Sequence, residues 1–143
     1  MIIKEIDCFS EQIYSEILSL LKQLTNNKFI FSNNDFESII KCDNSFLIGA
    51  FQKNNLIGIL AFVIYHIPTG KHGRIEDVVV DTAYRGKGIG EKLLLKAIKI
   101  GKSMNLDKIF LTSNPNRIAA NNLYPKIGFQ LGETNSYFYT YKK

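Results

Sequence analysis

The feature that most constrains the fold is a strand-like run that enters a glycine-rich turn and continues into an amphipathic helix. Residues 74–80 are rich in β-branched side chains and predict a strand, and residues 81–87 predict a loop. A helix is predicted from Gly88 or Ile89, and a second strand at 108–112. This order predicts a β-α-β unit with one parallel pair of strands. The apolar face predicted for the helix comprises Ile89, Leu93, Leu94, Ala97, Ile98, Gly101 and Met104.

The rest of the chain alternates strands and helices, which predicts a mixed α/β domain with mostly antiparallel strands. Alternation of Tyr137, Tyr139 and Tyr141 places these tyrosines on one face of a terminal strand. The other predicted elements are a strand at 2–6, a helix from the N-cap Ser10 to Leu24, a short helix capped by Asn33 or Asn34, a hairpin of 46–51 and 56–66 about the turn 53–55, a helix at 117–126, and strands at 129–131 and 137–141.

Composition indicates one ordinary globular domain over residues 1–143. Hydrophobic residues make up 45% of the chain and charged residues 22%, and no repeat or linker divides it. The cysteines, Cys8 and Cys42, are too few for a disulfide scaffold or a four-cysteine zinc site. With only His66 and His72 besides, we expect no metal centre.

No membrane-spanning or export segment is predicted. The longest apolar run, residues 56–67, is shorter than the roughly 20 residues that a spanning helix needs. Residues 1–10 carry Lys4, Glu5 and Asp7 and contain no continuous apolar region, so we expect no signal peptide. Free thiols and the expected lack of an export signal favour a cytoplasmic protein.

Positive charge is concentrated in the second half of the chain. Residues 68–143 carry 13 Lys and Arg against six Asp and Glu, whereas residues 1–67 carry five against seven. This half therefore favours an anionic partner, either a nucleic acid or a polyphosphate cofactor, unless its lysines only keep the surface soluble. No aromatic and basic platform for bases is recognisable, which disfavours nucleic acid.

The glycine-rich turn is predicted to bind an anion. Gly86, Gly88 and Gly90 alternate, and without Cβ atoms their backbone N–H groups can turn toward one point. The first N–H groups of the following helix have no internal partner, and the helix end carries an effective positive charge of roughly half a unit. Arg85 and Lys87 add full charges. Neither the Walker pattern nor the dinucleotide fingerprint fits this spacing.

These residues resemble the GNAT superfamily of N-acetyltransferases. Arg85-x-x-Gly88-x-Gly90 is similar to the family's Gln/Arg-x-x-Gly-x-Gly/Ala signature, and residues 119–129 resemble its second signature, a helix ending Leu-Tyr-x-x-x-Gly-Phe. The resemblance implies a GNAT fold: a twisted, mostly antiparallel sheet of about seven strands with one parallel splayed pair, flanked by about four helices. Residues 73–80 are locally similar to glucosamine-6-phosphate N-acetyltransferases.

The resemblance implies that the turn holds the pyrophosphate of acetyl-coenzyme A (acetyl-CoA) and that the adjacent strand pairs with the pantetheine arm. The backbone N–H of Val79 or Val80 is a candidate oxyanion donor. The family often has an asparagine seven residues before its tyrosine, where this chain has Arg117. The expected cofactor-binding residues are Val78, Val79, Val80, Arg85, Gly86, Lys87, Gly88, Ile89, Gly90, Asn114 and Asn121.

Two side chains are candidates for proton transfer. Tyr124 matches the family's general-acid tyrosine, because a phenol stays protonated at neutral pH and can donate to a leaving thiolate; its alternative role is core packing. Glu76 is a candidate base for the amine, directly or through water, on the strand face of Arg74 and Val78. The alternative for Glu76 is an ion pair with Arg74. Because Pro125 disfavours a helical Tyr124, we expect the last helix to end or tighten there.

The predicted function is transfer of an acetyl group from acetyl-CoA to a primary amine, with coenzyme A as product. Direct attack in a ternary complex is favoured because no activated cysteine is recognisable. The acceptor, a small molecule or a peptide amine, is left open, as is a homodimer. The alternative is a non-catalytic module that binds coenzyme A or a protein partner.

Overall fold

A five-stranded sheet, whose strand order in space follows the order along the chain, organises the first part of the protein. The structure is a computed structural model and describes all residues from 1 to 143. Neighbouring strands are antiparallel except the last two, which are parallel. The strands are β1 (Ile2–Glu5), β2 (Ser45–Gln52), β3 (Asn55–Ile67), β4 (Gly70–Val80) and β5 (Lys108–Phe110).

The helices are α1 (Glu11–Leu24), α2 (Asn33–Lys41), α3 (Ile89–Ser103) and α4 (Ile118–Ile127), and a 3-10 turn spans Thr82–Tyr84. The order β4, α3, β5 confirms the predicted β-α-β unit with its parallel pair. None of these helices combines the length and the apolar character needed to cross a bilayer. Residues 1–112 and residues 113–143 form two compact units, so a single domain over 1–143 stays a prediction.

The N-terminal caps of the first two helices follow local sequence chemistry. The hydroxyl of Ser10 accepts a hydrogen bond from the backbone N–H of Ile13 at 3.0 Å, which confirms the predicted cap of α1. The cap of α2 is Ser32, so the prediction of Asn33 or Asn34 is wrong. Ser32 and Asp35 exchange hydrogen bonds in a capping box, which satisfies two backbone donors where an asparagine cap would satisfy one. These bonds also lower the pKa of Asp35.

Two tight turns connect β2, β3 and β4. Lys53 and Asn54 have positive φ angles of 50° and 67°, which suits a two-residue hairpin turn, so the predicted hairpin is confirmed. Ile67 pairs with Gly70, and β4 therefore begins four residues before the predicted start at Arg74.

Helices pack on both faces of the sheet. Ile59 of β3 belongs to a buried cluster with Ile17 and Leu20 of α1 and Phe36 of α2. Its neighbour Gly58 faces the other way, where an added Cβ would lie 3.4 Å from Leu93 of α3.

Most of the predicted apolar face of α3 is buried, but Ile100 takes the buried position that was predicted for Ile98. Ile100 is buried, whereas Ile98 and Met104 are only partly so. The helical steps that place Leu93, Ala97 and Ile100 on the sheet leave Ile98 at the margin of that face.

The chain after α4 departs from the prediction. Residues 129–131 and 137–141 form no strand, so the sheet has five strands rather than about seven. Alternation predicts which side chains share a face, but a strand also needs a partner for its backbone hydrogen bonds. The tyrosine side chains of this segment are exposed.

Candidate functional site

The connection from β4 to α3 has a backbone that no side chain covers at its three glycines, as their spacing predicts. Gly86 and Gly88 have φ angles of 77° and 76°, in the left-handed region where other residues are strained. Gly88 caps α3 with no side-chain hydrogen bond. A Cβ added at Gly86, Gly88 or Gly90 would meet no atom of the rest of the chain within 4 Å. The start of α3 therefore offers unpartnered N–H groups beside open space, an arrangement that suits a phosphate anion.

The basic side chains of this turn also serve its structure. Nε of Arg85 donates a hydrogen bond to the carbonyl of Val80 at 3.0 Å, which closes the turn onto the end of β4. Nζ of Lys87 lies 5.4 Å from the ring centroid of Tyr84. Both side chains therefore place a positive charge beside the backbone of the glycine turn.

Helix α1 holds the same turn from the other side, through a residue that the sequence analysis missed. Oε1 of Gln23 accepts a hydrogen bond from the backbone N–H of Thr82 at 2.9 Å, and its Nε2 donates to Asp81 at 3.5 Å. Asp81 in turn accepts from the N–H of Ala83 at 2.9 Å. No local signal reveals this link, because 59 residues separate Gln23 from Thr82.

A bulge interrupts β4 just before the turn, and it too was missed. Ile59 pairs with Val79 and Ala61 with Glu76, so Asp77 and Val78 together oppose a single residue of β3. Asp77 has a φ of 49°, which an aspartate tolerates better than most residues. No sequence signal marks the bulge, since residues 74–80 have the composition of an uninterrupted strand.

The bulge changes which side chains share a face. Glu76 lies opposite Ala61 and Val79 opposite Ile59, and both partners pack on the α1 and α2 side. Glu76 therefore shares its face with Arg74, as expected, but with Val79 instead of Val78. The expectation for Val78 is wrong because the extra residue shifts the alternation by one position.

The parallel strands part after a short contact. β5 pairs with β4 only from His72 to Arg74, so residues 75–80 of β4 have no strand on that side. This agrees with the expected splayed pair, and it leaves one backbone edge of Val78, Val79 and Val80 without a ladder.

The carboxylates at the bulge have distinct surroundings. Oε1 of Glu76 lies 2.6 Å from Nε of Arg74, and both side chains are substantially exposed. The ion pair between Glu76 and Arg74, which the sequence analysis gave as the alternative role of Glu76, is therefore present. Partial burial of its carboxyl group, and secondarily the charge of Glu76, raises the pKa of Asp77, although the residue as a whole is exposed.

In the second unit, the side chains of Asn114 and Asn121 form hydrogen bonds with the backbone of the segment that leads into α4. Nδ2 of Asn121 donates to the carbonyls of Asn114 at 2.9 Å and Arg117 at 2.8 Å. Oδ1 of Asn114 accepts from the N–H of Asn116 at 2.9 Å. Oγ of Ser113 is buried without a hydrogen-bond partner, a costly arrangement that the sequence analysis did not anticipate.

Tyr124 lies partly buried near the end of α4, with its ring centroid 6.0 Å from that of Phe129. The helix continues to Ile127 and so does not end near Tyr124, but its last turn tightens as the alternative expectation had it, because the N–H of Gly128 donates to the carbonyl of Pro125 three residues back. Pro125 removes one helical hydrogen bond, but Gly128, at a φ of 112°, and Phe129 return their N–H groups to the last turn. The Gly-Phe of the motif is thus the C-terminal cap of α4.

The expected site residues therefore fall into two groups. Glu76, the 78–80 edge and the 85–90 turn lie together along β4 and the start of α3, in the first unit. Asn114, Asn121 and Tyr124 lie on and before α4, in the second.

Two of the curated proteins to which this chain is similar are acetyltransferases. A glucosamine 6-phosphate N-acetyltransferase of Trypanosoma brucei brucei is 33% identical over an alignment of 95 positions, which covers 53% of this chain and 63% of that protein. Streptothricin acetyltransferase of Escherichia coli is 34% identical over 100 residues, which are 70% of this chain and 55% of that protein. The matches thus cover between about half and two thirds of these relatives.

A solved structure of an aminoglycoside acetyltransferase from an uncultured soil metagenomic sample has the same fold. It superimposes with a TM-score of 0.85 at 18% identity, over 99% of this chain and 95% of that one. The model of the Acetyltransferase (GNAT) family matches residues 12–129. Since that match covers most of the sequence, the chain belongs to the acetyltransferase (GNAT) family.

Proposed function

We propose that the protein transfers an acetyl group from acetyl-CoA to a primary amine, by direct attack in a ternary complex, and releases coenzyme A. The observation that carries the proposal is the sequence of bulge, splayed edge and left-handed glycine turn along β4 and the start of α3. The splayed edge supplies free backbone groups, and the glycine turn at residues 85–90, here called the cradle, supplies a site for an anion. A long cofactor with a diphosphate would use both.

The residues of the turn fit the cofactor. The open space beside Gly86, Gly88 and Gly90 leaves room for phosphate oxygens to approach the backbone, and Arg85 and Lys87 supply countercharge. The free edge of Val78, Val79 and Val80 would bind the pantetheine amides as an added strand does. Asn114 remains a candidate for the same arm through its Nδ2, and Asn121 through its Oδ1, because Oδ1 of Asn114 and Nδ2 of Asn121 already have partners. When bound, acetyl-CoA supplies an activated thioester.

Three groups of the chain would serve the reaction. A backbone N–H of Val79 or Val80 would stabilise charge on the carbonyl oxygen. The phenol of Tyr124 would donate its proton to the leaving sulfur, since a phenol holds its proton more tightly than an alkyl thiol. Glu76 would accept the proton of the amine directly or through water, and its pairing with Arg74 holds the carboxylate in place.

The acceptor that we propose is a small-molecule amine. The relatives named above include an enzyme for glucosamine 6-phosphate and one for streptothricin. Glu76 and Asp77 place two acidic groups side by side at the bulge, which would attract a cationic amine. A peptide amine stays the alternative, and a cytoplasmic location stays a prediction.

The decisive test is thiol release from acetyl-CoA over a panel of amino sugars, polyamines, amino acids and peptides. We expect turnover with at least one small amine. Tyr124→Phe should lower kcat by about 100-fold or more, because it removes a proton donor. It should leave the calorimetric affinity for coenzyme A unchanged.

Two outcomes would contradict the proposal. Coenzyme A binding without turnover on any amine would favour the non-catalytic module, and no binding at all would refute the cradle. As a control for a covalent route, Cys42→Ser should retain full activity. Cys42 is the cysteine to test, because hydrogen bonds from Ser45 and Asn44 lower the pKa of its thiol.

A further inference from the structure

The two cysteines of the chain, Cys8 and Cys42, belong to segments that meet at one end of the sheet. The N–H of Ile6 donates to the carbonyl of Leu47 at 2.7 Å, which continues the antiparallel pairing of β1 and β2 past the end of β1. The same register, followed for two more residues, places Cys8 opposite Ser45. Opposite residues of antiparallel strands have Cα atoms about 4.5–5.5 Å apart.

Cys42 approaches the same serine through a turn. The N–H of Ser45 donates to the carbonyl of Cys42 at 3.2 Å, and residues 42 and 45 of such a turn have Cα atoms less than about 7 Å apart. Hydrogen bonds from Ser45, and secondarily from Asn44, lower the pKa of the Cys42 thiol. Both cysteines therefore have Ser45 as their neighbour, and Cys42 has the more readily formed thiolate that disulfide exchange requires.

Neither cysteine lies inside a strand or a helix. Cys8 belongs to residues 6–10, between β1 and α1, and Cys42 directly follows α2. Phe9 packs on Phe36 of α2 with ring centroids 5.5 Å apart, which holds the segment around Cys8 against the helix that ends at Cys42. A backbone adjustment within these two connections can therefore bring the sulfur atoms to bonding distance without breaking an element.

Both thiols are open to a small molecule. Each is exposed and free. Glu5, Ile6 and Asp7 line two cavities: Cys8 also lines the larger one, of about 430 Å³, and Cys42 the smaller one, of about 210 Å³. An oxidant of low molecular weight can thus reach either sulfur.

We propose that Cys8 and Cys42 form a reversible disulfide when the protein meets a small disulfide oxidant such as oxidised glutathione, and that this bond fastens the start of α1 to the end of α2. In a compartment that keeps thiols reduced, such a bond forms only under oxidising conditions and so acts as a redox-sensitive brace.

The reaction is thiol–disulfide exchange in two steps. The Cys42 thiolate attacks one sulfur of the oxidant, whose S–S bond breaks and releases one glutathione thiolate. The Cys8 thiolate then attacks the Cys42 sulfur of the mixed disulfide and releases the second glutathione. The two cysteines together lose two electrons and two protons, and the oxidant gains both as two glutathione thiols.

Intact-mass measurement after incubation with excess oxidised glutathione tests the proposal without reference to activity. The chain should lose about 2 Da, the mass of two hydrogen atoms, and carry no glutathione. It should remain a single chain on a non-reducing gel, and dithiothreitol should restore the parent mass. Cys8→Ser is the matched variant, which should stop at a mixed disulfide of Cys42 with glutathione because no second thiol displaces it.

A product that carries glutathione on both cysteines would overturn the proposal, as would a disulfide that only joins two copies of the chain. Two cysteines that stay free after prolonged incubation would overturn it equally. Both side chains are exposed, so serine in place of either should leave the fold intact.

Urea unfolding distinguishes a bond that fits the fold from one that distorts it. The bond closes a loop from residue 8 to residue 42 and restricts the unfolded chain, so oxidation should raise the unfolding midpoint. The double variant Cys8→Ser, Cys42→Ser cannot form the bond, and the oxidant should leave its midpoint unchanged. A midpoint that falls when the parent chain is oxidised would show that the folded protein does not accommodate the bond and would refute the brace.

Discussion

Single residues of the β4–α3 connection carry conformations that only a few amino acids adopt without strain. Gly86 and Gly88 lie in the left-handed region, and so does Asp77 at the bulge. The backbone conformation at these positions sets the direction of the nearby N–H groups, whereas the neighbouring side chains of Arg85 and Lys87 mainly contribute positive charge. Substitutions here should therefore separate backbone effects from electrostatic ones.

Two glycines of the turn make a matched pair for such a test. Gly88→Ala should destabilise the fold by about 1–2 kcal/mol, because its φ of 76° is strained for alanine. It should also weaken coenzyme A binding. Gly90 lies inside α3 with no positive φ, so Gly90→Ala should stabilise the protein by about 0.5–1 kcal/mol. It should nevertheless weaken coenzyme A binding, because its methyl group would occupy the space left for phosphate oxygens. Denaturant unfolding and calorimetry measure stability and binding, and equal changes in stability for the two substitutions would refute this account of the turn.

Asp77 should make stability depend on pH. Its pKa is raised in the folded state above the usual 3.8, so the folded protein holds the proton more tightly than the unfolded chain does. Stability therefore falls as the pH rises through this window, and the loss persists at neutral pH. Asp77→Asn should be more stable than the parent chain at pH 7, with the difference vanishing below pH 3.8.

Thermal unfolding at several pH values checks the effect of Asp77→Asn. Asp43→Asn is its control, since it removes the same charge from the exposed end of α2. A constant difference between Asp77→Asn and the parent chain from pH 3 to pH 7 would contradict the assignment.

At the scale of elements, α1 connects the glycine turn to the rest of the sheet. Polar side chains fasten this helix at both ends: Gln12 donates to the carbonyl of Asn54, and Gln23 bonds Thr82 and Asp81. The helix thus touches both the β2–β3 turn and the segment that leads into the cradle.

Gln23 is accordingly a positioning residue for the cradle. Gln23→Ala should raise the KM for acetyl-CoA by about 2- to 10-fold, in keeping with the loss of one or two exposed hydrogen bonds, with little change in kcat. Gln12→Ala removes an equivalent bond at the far end of the helix and should leave both constants unchanged. Steady-state kinetics separate the two, and a fall in kcat alone would show that Gln23 acts in another way.

Local chemistry made much of the fold predictable. The Ser10 cap, the Lys53–Asn54 turn and the helix after Gly88 each depend on residues close together in the chain. Ser32 and Asp35 also have the spacing of a capping box, so this cap could have been found. The bulge at Asp77 and the link from Gln23 could not, because they arise from strand pairing and from contacts across 59 residues.

At the scale of the whole molecule, charge and apolar surface are both unevenly distributed. The chain has a net charge of +5, and its excess of lysine and arginine lies after residue 67. The glycine turn, α3 and β5 belong to this basic half, which agrees with an anionic ligand at the cradle. Large apolar side chains that are exposed cluster near the end of the same half, in residues 131–141.

The surplus residue at Asp77 places the two ends of β4 out of phase with each other. Upstream, odd-numbered side chains such as Ile75 are buried on one side of the sheet, whereas downstream Val79 is buried on the opposite side. A deletion of one residue here would leave Glu76 opposite Ala61 and Val79 opposite Ile59 with regular pleating between them, and it would remove the bend that the bulge gives the strand. The surplus residue therefore sets the direction in which β4 enters the glycine turn: its loss should keep the later pairing of the strand but shift the turn relative to the sheet.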